Sequence, residues 1–272
     1  MEPITLNHLA LWRLSPTNSA RGRVLLVHGL GEHSARHQNT IDFLTKNQIE
    51  VVRFDLRGAG RSGGRRQWVE KFEDYVEDAA QVFHWIQREC PPLPLFVLGH
   101  SLGGAISAHF VKIYQKEISG LVLSAPAYLP GDAVSSVKIT VGKWLVKVAP
   151  TLRIPGSTDH SSLSKDPKVA EDYRNDPLAC HFNTLQQGNE ILRALSEMPS
   201  VCEKISIPVL IAHGTSDRII KLEGSYHLLR CLQSKDKSLT ILPNAYHELH
   251  NDHEKEDYFS NLVIWLLKHI PG

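Results

Sequence analysis

A chain of 272 residues with 42% hydrophobic and 22% charged content is long enough to bury a large core, and α/β sheets of this length commonly fold as one domain. Thirty Lys plus Arg against 29 Asp plus Glu leave a formal charge of +1, which argues against a nucleic-acid footprint or a polybasic membrane anchor. The first residues lack a secretory pattern, no apolar run reaches the ~18 residues of a bilayer span, and Cys90, Cys180, Cys202 and Cys231 form no metal-type pair. These features read as a cytoplasmic protein with reduced thiols.

In chain order, an apolar run at 24–27 ends at His28-Gly29 and predicts a buried strand followed by a turn. A second run at 51–54 closes on Asp55-Leu56-Arg57-Gly58-Ala59-Gly60. Apolar residues at helical spacing then predict a helix over 72–86, followed by a strand at 95–98 and a helix over 105–114. Further strands are predicted at 121–123, 208–212 and 239–242, with helices over 222–232 and 258–269. Continuous apolar strands alternating with helices predict an α/β fold with a mostly parallel central sheet covered on both faces. Residues 126–205 break the rhythm: helical patterning with Pro, Gly and Ser punctuation and no clear strand. They are expected to form a helical cap inserted in a core made of 1–125 and 206–272, lying over the strand ends where parallel sheets bind ligands.

The strongest chemical signal is Gly99-His100-Ser101-Leu102-Gly103-Gly104, between a predicted strand and a predicted helix. G-x-S-x-G in that context is a nucleophile elbow, whose sharp turn lifts the Ser101 hydroxyl above the sheet. A serine hydroxyl needs a base held by a third group. The chain order expected for this architecture, serine then acid then histidine, is met by Asp217 after strand 208–212 and His247 after strand 239–242. Singly they would read as a helix cap and a loop histidine; three placements agreeing in order and context favour a triad. The oxyanion donors are expected to be the backbone N–H groups of Leu102 and of Leu30, in His28-Gly29-Leu30-Gly31. His247, His250 and His253 lack the Glu of a helical H-E-x-x-H and any supporting cysteine or carboxylate, so neither metal nor other cofactor is expected.

The segments His28-Gly29-Leu30-Gly31-Glu32-His33-Ser34, Asp55-x-Arg57-Gly58-x-Gly60-x-Ser62, Phe72-x-x-Tyr75-Val76-x-Asp78, Asn175-Asp176-Pro177-Leu178-x-Cys180, His213-Gly214-x-x-Asp217-Arg218 and Ala245-Tyr246-His247-x-Leu249-His250 carry a likeness over nearly the whole chain. With the elbow, they resemble the monoacylglycerol lipase and lysophospholipase branch of the α/β hydrolases; Ala59 stands where that family often has His. The resemblance implies that Glu32, Arg36 and His250 line a narrow pocket for the glycerol end of the substrate, bordered by Tyr173 and Cys180. A buried polar cluster of this kind discriminates for a substrate that satisfies it. The alternative for Glu32 and Arg36 is an ion pair tying down the oxyanion loop.

The run 134–148 has Val134, Val137, Val141, Leu145 and Val148 at helical spacing, with Lys138, Lys143, Lys147 and Trp144 among them. It reads either as a cap helix packing on the core or, as the resemblance implies, as a substrate entrance touching a membrane or micelle surface. The expected activity is hydrolysis of the ester bond of monoacylglycerols through an acyl-enzyme on Ser101. A lysophospholipase, a broad carboxylesterase and a catalytically inactive binding member of the fold are the alternatives.

Overall fold

The structure is a computed structural model and describes residues 2–131, 142, 144–156 and 159–271. It opens on an antiparallel hairpin, β1 (Ile4–Leu6) and β2 (Leu9–Leu14), that pattern alone did not predict. After it come β3 (Gly22–Val27), α1 (Gln38–Lys46), β4 (Ile49–Phe54), α2 (Glu73–Glu89), β5 (Leu95–His100), α3 (Leu102–Tyr114) and β6 (Gly120–Ser124). The chain resumes its alternation with β9 (Val209–Gly214), α6 (Leu222–Cys231), β10 (Lys237–Leu242) and α7 (Lys255–Lys268). Between β6 and β9 lie a short pair, β7 (Arg153–Pro155) and β8 (Phe182–Thr184), and two helices, α4 (Pro167–Asn175) and α5 (Leu185–Cys202). The pair corrects the expectation of a strandless 126–205: three residues a side are too few to show period-2 patterning.

The sheet runs β1-β2-β4-β3-β5-β6-β9-β10, antiparallel at the β1–β2 and β2–β4 contacts and parallel from β4 onward. Strands β3, β4, β5, β6 and β9 are buried at every position, the reason their sequences are mostly apolar, with Arg23, Glu50 and Arg53 as buried charged exceptions. Successive side chains point to opposite faces, so one strand feeds two cores. Leu25, Val27, Val97 and Leu121 join α2, α3 and α5 in one cluster, while Val24, Leu26, Phe96 and Val122 join α1 and α7 in the other. The second half of α5, from Ile191 to Cys202, belongs to the first of these clusters. Segment 126–205 is thus fastened to the sheet's own core.

The motif residues outside the triad hold the loops above the strand ends. Asp55 accepts hydrogen bonds from the backbone N–H and the hydroxyl of Ser34 (2.9 and 2.6 Å), fixing the loop after β3 to the turn after β4. Arg57 forks onto Asp78 of α2 with two bonds of 2.7 Å. Of the run 134–148, only 142 and 144–148 lie among the described residues. There Trp144 is 70% and Val148 81% exposed, so Val148 faces outward rather than into the core. Among the described residues no helix is long and apolar enough to cross a membrane.

Candidate active site

Ser101 stands between β5 and α3 with φ 53° and ψ −119°, a conformation that costs a non-glycine residue of order 1–3 kcal/mol. The surroundings over-determine it: Ser101 N–H donates to Ser124 O and Ala127 N–H to Ser101 O, each at 2.9 Å. A Cβ on Gly103 would fall 2.1 Å from Val27 O, so only glycine lets α3 come this close to β3. Leu102 is the first residue of α3, and its N–H belongs to the helix end that has no intrahelical acceptor. The loop after β3 reaches Ser101: a Cβ on Gly29 would lie 3.3 Å from Ser101 Cβ. Leu30 and Leu102 line one cavity with Ser101 and His247.

His247 follows β10 and is 3% exposed. Its Nδ1–H donates to Asp217 Oδ2 at 2.7 Å, which leaves Nε2 as the basic nitrogen. Asp217 Oδ1 accepts from the N–H groups of Ile219 and Ile220 at 2.8 and 3.0 Å. Burial opposes charge on Asp217, but the two imidazoles at Oδ2, His247 and His213, hold its pKa far below the ordinary carboxylate range. Burial also disfavours the charged form of His247, yet the Asp217 carboxylate outweighs it and raises the pKa above 6.5. The structure thus brings Asp217 and His247 into contact and places His247 on the same cavity as Ser101.

The cavity, about 260 Å³, has two kinds of lining. One sector is apolar: Ala127, Pro130, Ile154, Leu163, Ile191, Leu192, Leu195, Ile219 and Ile220. The polar lining is Glu32, His100, Tyr173, Asn183, His247 and Glu248, with Asn183 opposite Ile154 in the β7–β8 pair. Glu32 Oε1 accepts from Gly29 N–H (2.5 Å) and pairs with His37 Nε2 (3.1 Å), while Oε2 is buried with no hydrogen-bond partner. Burial opposes its charge, but His37 and the neighbouring His100 and His28 keep Glu32 well below the usual carboxylate pKa.

The other residues expected around the glycerol end are placed unequally. Tyr173 lines the cavity, donates to Gly31 O at 3.0 Å and carries the Arg36 guanidinium 4.8 Å over its ring. Arg36 stands behind the lining and bonds both carboxylate oxygens of Glu248 at 2.9 and 3.0 Å, against 3.7 Å to Glu32. Its main partner is therefore Glu248, which sequence reasoning missed although it is the residue after His247. Cys180 is half-buried and ties the loop before β8 to the oxyanion loop through its N–H to Gly31 O at 2.8 Å. His250 is also behind the lining, stacked on His37 at 4.1 Å with its Nε2 buried and unpartnered. Burial and the neighbouring His37 and His100 push His250 well below 6.5; burial and His247 do the same to His100. Beyond Glu248, sequence reasoning gave no role to His37, His100, His213 or Asp252. Asp252 accepts from Tyr246 N–H (2.5 Å) and Lys165 N–H (3.0 Å), clamping the His247 loop to the segment before α4. Among the described residues no group of three His, Cys, Asp or Glu could hold a metal ion.

A strained serine at a strand-to-helix turn, a cavity shared with a carboxylate-held histidine, and a parallel sheet beneath them define an α/β hydrolase. Comparison with known proteins agrees. The sequence model of the family described as serine aminopeptidase, S33, matches residues 18–254, and the chain belongs to that family. A monoacylglycerol lipase of Mycolicibacterium smegmatis is 35% identical over 260 residues, covering 94% of this chain and 91% of that protein. The human monoglyceride lipase is 33% identical over 239 residues, 87% of this chain and 78% of that one. The crystal structure of Paleococcus ferrophilus monoacylglycerol lipase superposes with a TM-score of 0.88 at 30% identity, covering 96% of this chain and 99% of that one.

Proposed function

We propose that the protein hydrolyses the ester bond of monoacylglycerols, releasing glycerol and a fatty acid. His247 Nε2 takes the Ser101 hydroxyl proton as Oγ attacks the ester carbonyl. The N–H groups of Leu30 and Leu102 receive the oxyanion. Collapse expels the glyceryl alkoxide, protonated by the His247 imidazolium, and leaves an acyl-Ser101. Water, deprotonated by His247, attacks the acyl carbonyl; the acyl–Oγ bond breaks, the His247 proton returns to Ser101 Oγ, and the acid leaves. Since His247 must be neutral to start, kcat/KM falls as pH drops through its raised pKa, above 6.5.

The observation that carries the substrate class is the divided lining of the cavity. An acyl chain asks only for an apolar wall. A glyceryl group brings hydroxyl donors, and the buried, open Oε2 of Glu32 is an acceptor awaiting one. Similarity to proteins named monoacylglycerol and monoglyceride lipase supports the same reading. A lysophospholipid is less suited, because Arg36, behind this lining, is already engaged by Glu248. A second reading, release of an N-terminal amino acid, draws on the same buried carboxylate as an ammonium acceptor and on membership of the serine aminopeptidase family.

We propose further that residues 126–205 act as a cap over the site, with core 1–125 and 206–272. Tyr173, Leu163 and the α5 residues supply much of the lining from that segment. Its exposed Trp144, Leu145, Val148 and Leu152 form an apolar face suited to transient contact with a membrane or micelle.

Glycerol release from monoolein by wild type and by Ser101→Ala tests the assignment, beside lysophosphatidylcholine, a nitrophenyl ester and an aminoacyl nitroanilide. Wild-type turnover of monoolein that the variant lacks upholds it. Preference for the lysolipid or the anilide overturns the substrate, and labelling failure with a fluorophosphonate overturns the nucleophile.

A further inference from the structure

Asp217 Oδ2 serves two imidazoles, and the mechanism uses only one of them. His213, in β9, is completely buried, and its Nε2 lies 3.2 Å from Asp217 Oδ2 and 3.1 Å from Ile220 O. Both of those atoms are acceptors, so Nε2 must carry a hydrogen shared between them. Nδ1 lies 2.7 Å from Ser225 Oγ of α6, a group able to donate its hydroxyl hydrogen to an unprotonated Nδ1. A neutral His213 ring in this setting has one tautomer, fixed at both ends. Ile220 closes the arrangement, since its N–H donates to Asp217 Oδ1 at 3.0 Å while its carbonyl faces His213.

We propose that His213, held in the Nε2–H tautomer by Ser225, is a positioning residue for the acyl-transfer reaction: it fixes the Asp217 carboxylate and shares its charge, setting how strongly His247 holds a proton. The inference rests on the triad reading given above. A carboxylate oxygen that accepts from two imidazoles offers less negative charge to each. With the His213 donor removed, Oδ2 has only His247 to stabilise. The imidazolium then becomes more favourable, and a higher pH is needed to free the base. The other groups facing His247 are Glu248 beside it in the chain, Glu32 on the oxyanion loop and the His100 ring at the end of β5, 4.8 Å away. Among the described residues the polar partners of His213 are Ser225, Ile220 and Asp217, so these other groups form a constant background when His213 is changed. Buried bulk alone at position 213 would leave the titration of His247 where it is.

The test is the pH profile of kcat/KM on a soluble nitrophenyl ester for His213→Leu and His213→Gln, each verified folded by its thermal midpoint. Leu keeps the bulk without a donor; Gln keeps an N–H near the position of Nε2. In the Leu variant the acid limb should move up by about half a pH unit or more, and the plateau should fall roughly 10-fold. In the Gln variant both should return close to wild type. A folded Leu variant with an unmoved limb, or a Gln variant that shifts as far as Leu, overturns the proposal. If Leu does not fold, His213→Asn takes its place, because the amide of Asn is too short to reach Asp217. Asp217→Asn, measured alongside, keeps the two readings apart. Its retention of activity would bring down the triad itself, whereas its loss beside an unmoved Leu profile brings down only the role of His213.

Discussion

The apolar residues of the cavity are drawn from α5, β7 and three loops, and their side chains contribute bulk with little demand for orientation. The polar sector is a network in which each group depends on its neighbours: Gly29 and His37 on Glu32, His250 stacked on His37, Arg36 on Glu248. Dispersion and area burial are tolerant of substitution, so the first sector should change by degrees. Buried charge and buried donors are not, because a lost partner leaves an unsatisfied group behind. Under the proposed function, one cavity joins an apolar wall for the acyl chain to a polar wall for the glyceryl group.

The largest expected effect ignores this division. Ser101→Ala should lower kcat on glyceryl and methyl esters alike, on the order of 10⁶-fold as in serine proteases that lose their nucleophile. Unequal losses would mean that another group attacks one class of ester. Next is Glu32→Gln, which keeps the shape and removes the charge. Hydrolysis of monoolein should fall roughly 10–100-fold while methyl oleate changes little. A common loss on both esters would show that Glu32 only braces the oxyanion loop through Gly29 N–H. Smaller again is Leu192→Trp on α5, which adds volume to the apolar sector. The preference for a long over a medium acyl chain should drop about 10-fold, with methyl and glyceryl esters affected together.

The two sectors also differ in how far the sequence foretold them. Strand ends announce themselves, because fully buried strands read as apolar runs and the elbow glycines are demanded by backbone contact, as at Gly103. Ser101, Asp217 and His247 were therefore legible from order and context. The hairpin β1–β2 and helix α1 were not: β1 has three half-exposed or exposed residues, and α1 buries only Thr40, Ile41 and Leu44. The polar network was legible only in part. Glu32 and Arg36 are four residues apart and suggested a pair, yet Arg36 prefers Glu248, 212 positions away. His37 stands just before α1, His100 at the end of β5 and His250 in the loop after β10, and nothing in local spacing says that their rings meet. Of 134–148, the residues described show an apolar face turned outward, which helical spacing alone left open.

The polar network should also leave a mark on stability that the apolar sector cannot, because only the network titrates. His28, His100 and His250 are all pushed below 6.5, chiefly by burial, so the folded protein keeps them neutral. In the unfolded chain they take up protons near pH 6.5. Below that value the unfolded state binds more protons than the native one, and stability falls as pH falls, by up to ~1.4 kcal/mol per unit for each such ring. His247 has the opposite sign: its contribution is present below 6.5 and is lost as pH rises through its raised folded value. Three rings against one leave a net loss of stability on the acid side, measurable as urea midpoints at pH 7, 6 and 5. His250→Phe provides the sharper comparison, since His250 Nε2 has no partner to lose and a phenyl ring can stack on His37. Its urea midpoint should decline less steeply with acid, by close to one proton's worth. An unchanged slope would mean that His250 already carries its proton in the folded state, and that the polar sector tolerates a buried charge which its desolvation argues against.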